Sequence, residues 1–250
     1  MKKIIPVLAV GVFFMMVACG NSYNENRRLS KAEKERLDSI DQTAFKVGVM
    51  PTLDCLPIYV AYEDSLFKTI GVRVHLKYFT AQMDCDTALM SGSVQGSITD
   101  LVRAERLQRR GIIMTYPIAT NTYWQLVTNR LARIHELHQL SDKMIACTRF
   151  SATDLLASIA IKKGRPKYNV YRVQINDVKI RLEMLENNEM DAMFLTEPQA
   201  TKARLLKSPV LLDSRDFGLR LGIFAFRKAD SPERKQQLQL FLRAYDQAVD

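Results

Sequence analysis

Along this chain, segments that alternate like strands are followed by segments that repeat like helices, and the sequence does this twice over. Residues 45–50 (Phe-Lys-Val-Gly-Val-Met) alternate with a period of two, and a helix is predicted from Ile58 until just before Gly71. Residues 72–79 alternate again, with Val72, Val74, Leu76 and Tyr78 on one face. A loop is predicted over 80–86, a helix over 87–91, a strand over 95–98, a helix over 101–110 and a strand over 112–116. The rhythm then returns, with strands expected at 143–147, 168–173, 191–195, 210–212 and 220–226. Helices are expected between them at 151–163, 177–187 and 197–206. A last amphipathic helix over 232–249 carries Leu238, Phe241, Leu242, Tyr245 and Val249 on one face. Such alternation builds parallel sheets covered by helices. Two α/β lobes follow, crossed near 119–127 and again near 212–222. Two crossings make a hinge, and a hinge between α/β lobes makes a closable cleft. The expected division is 45–120 plus 217–250 as lobe one, and 121–216 as lobe two.

A different kind of sequence precedes the lobes. Met1-Lys2-Lys3 leads into an apolar run over 4–18, then Cys19-Gly20. Two lysines, a hydrophobic run and small residues before a cut site make a secretory signal over 1–18. The run falls short of the ~20 apolar residues that a membrane span needs. Its end, Met16-Val17-Ala18-Cys19, resembles the lipobox of bacterial lipoproteins. That resemblance implies cleavage before Cys19, lipid on Cys19, and a mature protein tethered at the periplasmic face of a membrane, inner or outer. Two or more acyl chains give a firm hold. Residues 19–44 after it are polar and charged, and read as the lipidated cysteine with a flexible or weakly helical stalk.

Composition narrows the function. The formal charge is +9, lowered by two when Lys2 and Lys3 leave with the signal, and the remainder is scattered. A nucleic-acid protein would carry a basic stripe interleaved with aromatics, and there is none. His135 and His138 bracket Glu136 and Leu137 in the wrong order for a zinc protease, and no Gly-x-Ser-x-Gly, phosphate loop or dinucleotide fingerprint occurs. No cofactor, metal or catalytic residue is expected. With Cys19 assigned to lipid, Cys55, Cys85 and Cys147 remain. Each falls at or near the carboxyl end of a predicted strand. They read as small hydrophobes at the sheet edge, as a Cys55–Cys85 disulfide, or as thiols for a soft metal or redox chemistry.

In open α/β sheets ligands bind outside the carboxyl ends of the strands, beside helix N-termini. The sequence places Asp54 and Cys55 after the first strand, Thr80 and Gln82 after the second and Asp100 after the third. In lobe two, Arg149 and Ser151 follow one strand, and Glu197 another. Ser151 is placed to cap a helix, and Arg149 beside it to clamp an anion. Trp124, with Tyr123, lies at the first crossing, where it could stack on a ring or pack the hinge.

The order of these segments resembles the bacterial extracytoplasmic solute-binding proteins of the sulfonate, nitrate, taurine and thiamine-pyrimidine-precursor family, often called NMT1/THI5-like. The resemblance rests on Asp54-Cys-Leu-Pro57 with Leu66-Phe67, on Leu89-Met-Ser-Gly92 through Ser97-Ile-Thr-Asp100, and on Leu140-Ser-Asp-Lys-Met-Ile-Ala146. It continues through Glu189-Met-Asp-Ala192 and Thr196-Glu-Pro-Gln-Ala200. It implies a two-lobed periplasmic-binding-protein-like fold of type II and a monomeric, non-enzymatic receptor of an ABC importer. The receptor would capture a small anionic or heteroaromatic solute by lobe closure and pass it to a permease with its ATPase. The cysteines, and Met144-Ile-Ala-Cys147 without the usual glycine, depart from the family pattern. The alternative is a thiol- or metal-dependent protein, or a pyrimidine-synthase-like enzyme, on the same fold.

Overall fold

The computed structural model describes residues 30, 31, 33–35, 39 and 41–250. The expected signal over 1–18 and the lipid-bearing Cys19 lie outside the described residues. The unit from Phe45 to Asp250 holds ten strands and eight α-helices.

Two five-stranded sheets carry the two lobes. The first contains β1 (Phe45–Val49), β2 (Val74–Tyr78), β3 (Gly96–Asp100), β4 (Met114–Ala119) and β10 (Gly222–Arg227), in the order β2-β1-β3-β10-β4. The second contains β5 (Gln125–Thr128), β6 (Met144–Cys147), β7 (Tyr171–Gln174), β8 (Ala192–Leu195) and β9 (Val210–Asp213), in the order β7-β6-β8-β5-β9. The pattern is the same in both. Three parallel strands lie side by side, β2-β1-β3 and β7-β6-β8. Next to them runs an antiparallel strand, β10 or β5, which the chain lays down just after crossing from the other lobe.

The helices cover both faces of each sheet, which is why β3 and β8 are buried at every residue rather than alternating. They are α1 (Leu56–Glu63), α2 (Leu66–Ile70), α3 (Gln82–Ser91), α4 (Leu101–Arg109), α5 (Ala152–Gly164), α6 (Val178–Glu186), α7 (Gln199–Leu205) and α8 (Pro232–Val249). The expected single helix before Gly71 is broken into α1 and α2 at Ser65, whose φ is +58°. Gly71, at φ +90°, ends α2 where a side chain would be strained. In α8, Phe241 is fully buried and stacks on Phe67 with ring centroids 5.1 Å apart, among Phe45 and Phe226. Tyr245 is buried with it, but Val249, expected on the same face, is exposed. Tyr78 is likewise exposed, stacked on Tyr59 at 6.1 Å.

Other elements differ from the sequence reading as well. α3 begins at Gln82 inside the expected loop. β5 lies where only a crossing was expected. β4 runs on to Ala119 through Pro117, tolerated because β4 is an edge strand with β10 as its one partner. The chain passes between sheets at 119–125 and 213–222, and the passages touch where Thr120 N–H donates to Gly222 O at 2.9 Å. A Cβ on Gly222 would stand 2.3 Å from Thr120 Oγ1, so only glycine fits there. No helix among the described residues is long and apolar enough to cross a membrane.

Candidate functional site

The carboxyl ends of the parallel strands in both sheets point into the cleft between the lobes, and the lobes meet across it. On one flank Thr80 Oγ1 donates to Asp177, Val178 N–H donates to Thr80 O at 3.2 Å, and Ala81 pairs with Asp177 in an antiparallel bridge. On the other flank Leu53 N–H donates to Glu197 O at 3.0 Å, and Gln199 Nε2 donates to Pro51 O at 3.0 Å. Between the flanks lies a small, partly open cavity of about 40 Å³, lined largely by polar side chains. A hollow of about 560 Å³ opens on the hinge side, lined by Leu53, Tyr245 and Val249 and also by Asp54, Tyr123 and Glu197. The smaller cavity is the candidate site, because strand ends and buried polar groups of both lobes converge on it.

Five of the residues expected from sequence line this cavity: Asp54, Gln82, Asp100, Trp124 and Ser151. Asp54 Oδ2 accepts from Thr122 Oγ1 at 2.5 Å, while its Oδ1 is buried without a partner. Burial pushes the Asp54 carboxyl up, against the hydrogen bonds from Thr122 and Thr52. Gln82 Nε2 donates to Ile98 O at 3.0 Å. Asp100 caps α4, accepting from Arg103 N–H at 3.0 Å, and the N–H of Ala152 across the cleft reaches the same carboxylate. Burial outweighs those donors and raises Asp100 to about 6. Ser151 caps α5, accepting from Thr153 N–H at 3.1 Å and donating to Thr148 O at 2.6 Å.

The other expected residues stand elsewhere. Cys55 is fully buried in the core of lobe one, its sulfur accepting from Met50 N–H at 3.3 Å. Cys85 lies in that core and Cys147 in the core of lobe two. All three are free thiols, so the Cys55–Cys85 disulfide is not formed. Among the described residues no group of three or more His, Cys, Asp or Glu is placed to hold a metal. Thr80 is spent on the interlobe clasp. Arg149 is exposed and leans toward the ring of Phe150, 5.6 Å away, rather than into the cleft.

Glu197 belongs to the hinge. Its carboxylate accepts from the Tyr123 hydroxyl, from Arg204 Nη2 at 2.8 Å and from Thr201 N–H at 2.9 Å. Burial opposes its charge, but these donors prevail and hold it at about 2. Arg204 also donates to Gln125 Oε1, Gln125 Nε2 to Asp213 at 2.7 Å, and Arg215 grips Asp213 at 2.6 and 3.0 Å. Arg215 then covers the Tyr123 ring at 3.8 Å, closing a loop of six side chains around the crossing.

Sequence reasoning missed Arg181. It is 3 % exposed, lines the cavity, and donates to Ile175 O at 2.6 Å, Phe194 O at 3.0 Å and Thr148 Oγ1. Burial lowers it to about 10. The signal was there: Arg181 falls on the stripe of α6 that buries Leu182 and Leu185. An arginine on an apolar stripe needs buried acceptors to meet it.

No protein-family model matches the chain, and no curated protein matches it. Solved structures do share its architecture. The ligand-binding component of an ABC-type import system from Staphylococcus aureus, with zinc bound, superposes with a TM-score of 0.69 at 16 % identity, over 82 % of this chain and 73 % of that one. The alkanesulfonate-binding protein SsuA from Xanthomonas axonopodis pv. citri, bound to MOPS, gives 0.68 at 17 % identity, over 82 % and 73 %. The periplasmic nitrate-binding protein NrtA from Synechocystis PCC 6803 gives 0.70 at 14 % identity, over 82 % of this chain and 61 % of that one. At such identities the likeness is one of fold: this is a two-lobed periplasmic-binding-protein fold with a hinge and an interlobe cleft.

Proposed function

We propose that this chain is the solute-binding component of an importer of the ABC type, held at the periplasmic face of a membrane by lipid on Cys19. It captures a small solute by closing residues 45–120 plus 217–250 on residues 121–216, acts as a monomer, performs no catalysis, and presents its load to a permease with its ATPase. The observation that carries this reading is the small cavity at the strand ends, lined from both lobes and clasped on both flanks. The import-system, alkanesulfonate-binding and nitrate-binding neighbours on the same fold support it. A thiol- or metal-based activity finds less support, because the three described cysteines are buried in two separate cores.

Of the two solute classes expected from sequence, the heteroaromatic one suits this lining better than the anionic one. Ring N–H groups can donate to Asp54 and Asp100, and Trp124 offers an aromatic wall. Arg149, the expected anion clamp, faces away.

Ligand binding shifts the lobes toward the closed form only as far as the ligand prefers it. Small-angle scattering and calorimetry across a panel of small anions, cations and heteroaromatic compounds test this. A true ligand reduces the radius of gyration and releases or absorbs heat. A panel in which no compound does either sinks the receptor reading.

A further inference from the structure

The charge of the solute can be read from the groups that line the cavity. Two carboxylates, Asp54 and Asp100, face it against one cation, Arg181. Three of Arg181's N–H groups are committed to Ile175 O, Phe194 O and Thr148 Oγ1. Asp177, on the same helix, and the buried Arg103–Asp86 pair from lobe one complete the nearby charges.

Asp54 has no cation beside it. Its neighbours are hydroxyls and backbone N–H groups, and Oδ1 is buried with no partner. Thr99, 3 % exposed, lines the same cavity, and its Oγ1 is also without a partner. A buried carboxylate oxygen left unmatched is costly. A ligand that donates hydrogen bonds and carries positive charge removes that cost, whereas an anion adds to it.

The helix end that would attract an anion is already occupied. A helix N-terminus offers its first N–H groups to negative charge. In α5 the N–H of Ala152 is directed to Asp100, that of Thr153 to Ser151 Oγ at 3.1 Å, and that of Asp154 to Ser151 O at 3.1 Å. The protein's own carboxylate, from the opposite lobe, sits where an anionic ligand would have to bind.

We propose that the cleft selects a small planar cation of the amidinium type, held by Asp54 Oδ1 and Thr99 Oγ1 against Trp124, with Asp100 excluding anions from α5. Trp124 favours the same charge, since indole attracts cations best among the aromatics. The cavity of about 40 Å³ accepts a body on the order of three waters in the closed form. This inference rests on the solute-binding reading above, and it fixes the charge of the solute.

Acetamidinium, acetamide and acetate have nearly the same shape and differ in charge, so they serve as probes. Titration calorimetry on the full chain should give acetamidinium an affinity at least about tenfold above that of acetate, with acetamide between them. Asp54→Asn should lower acetamidinium affinity by about tenfold or more and leave acetamide within about threefold. Asp100→Asn, which can still cap α4, should raise acetate affinity. Circular dichroism melts establish that each variant folds. Acetate binding as tightly as acetamidinium, or no heat from any of the three probes, overturns the charge assignment. Lobe closure by some other solute would then leave the receptor reading standing, and closure by none would remove both.

Discussion

Cys55, Cys85 and Cys147 show how a residue near a functional site can be chemically silent. Burial raises all three thiols, Cys55 well above its ordinary range, Cys85 to about 12 and Cys147 to about 11. The thiolate is the reactive form, so these groups should resist labelling. Iodoacetamide on the native protein should leave the three peptides unmodified, and the same reagent after guanidinium unfolding should modify all three. Native labelling of Cys55 at the unfolded rate would contradict its placement. Proximity in sequence to a strand end was legible; the direction of the side chain was not. Asp54 and Cys55 are adjacent, yet one faces the cavity and the other the core. Arg149 and Ser151 part in the same way, because Phe150 between them takes a left-handed φ of +57°. Arg181 was missed because candidates were sought only just after strand ends, although its place on the buried stripe of α6 marked it. It lies inside α6 rather than in a loop after a strand, and its side chain reaches across to the carboxyl ends of β6, β7 and β8.

Element boundaries follow from what each segment packs against. Gly96 opens β3, and a Cβ there would lie 2.2 Å from the ring of Phe226 on β10. Gly96→Ala must therefore push the ring or the strand aside, and overpacking of this kind costs about 1–3 kcal/mol. The urea midpoint should fall with little change in slope, and an unchanged midpoint would show that the ring yields freely. Most strands and helices were readable because their period is set by burial on one or both faces. β5 was not, since Gln125-Leu-Val-Thr is four residues long and buried throughout, with no alternation to detect. The first turn of α3, Gln82-Met-Asp-Cys, reads as a polar loop because only Cys85, Ala88 and Leu89 of that helix are buried. The bounds of α8 were legible from its long amphipathic stretch after Pro232, though Val249 at its end is exposed rather than on the buried face.

For the whole molecule, acidity should act on lobe closure through Asp100. The closed form raises its carboxyl from 3.8 to about 6, chiefly by burial, so that form binds the proton more tightly than an open, solvated one. Lowering the pH through that interval therefore favours closure. Asp54, which lines the cleft, is raised as well and acts in the same direction, while Asp177, Glu197 and Asp213 are held low and stay ionised there. Without ligand, the radius of gyration should be smaller at about pH 5 than at about pH 8, and Asp100→Asn should flatten the difference. Expansion on acidification would reverse the sign and discard the argument. The exchanged strands have a consequence of another kind, for the chain as it leaves the ribosome. Every strand of the second sheet, β5 to β9, is contiguous in sequence, so that sheet can be completed as soon as Asp213 has emerged. The first sheet cannot, because β10 is the strand that joins β3 to β4 and it is made last. The lobe begun first is thus the last to close, and until then the nascent protein carries one unpaired edge on β3 and a β4 with no partner on either side.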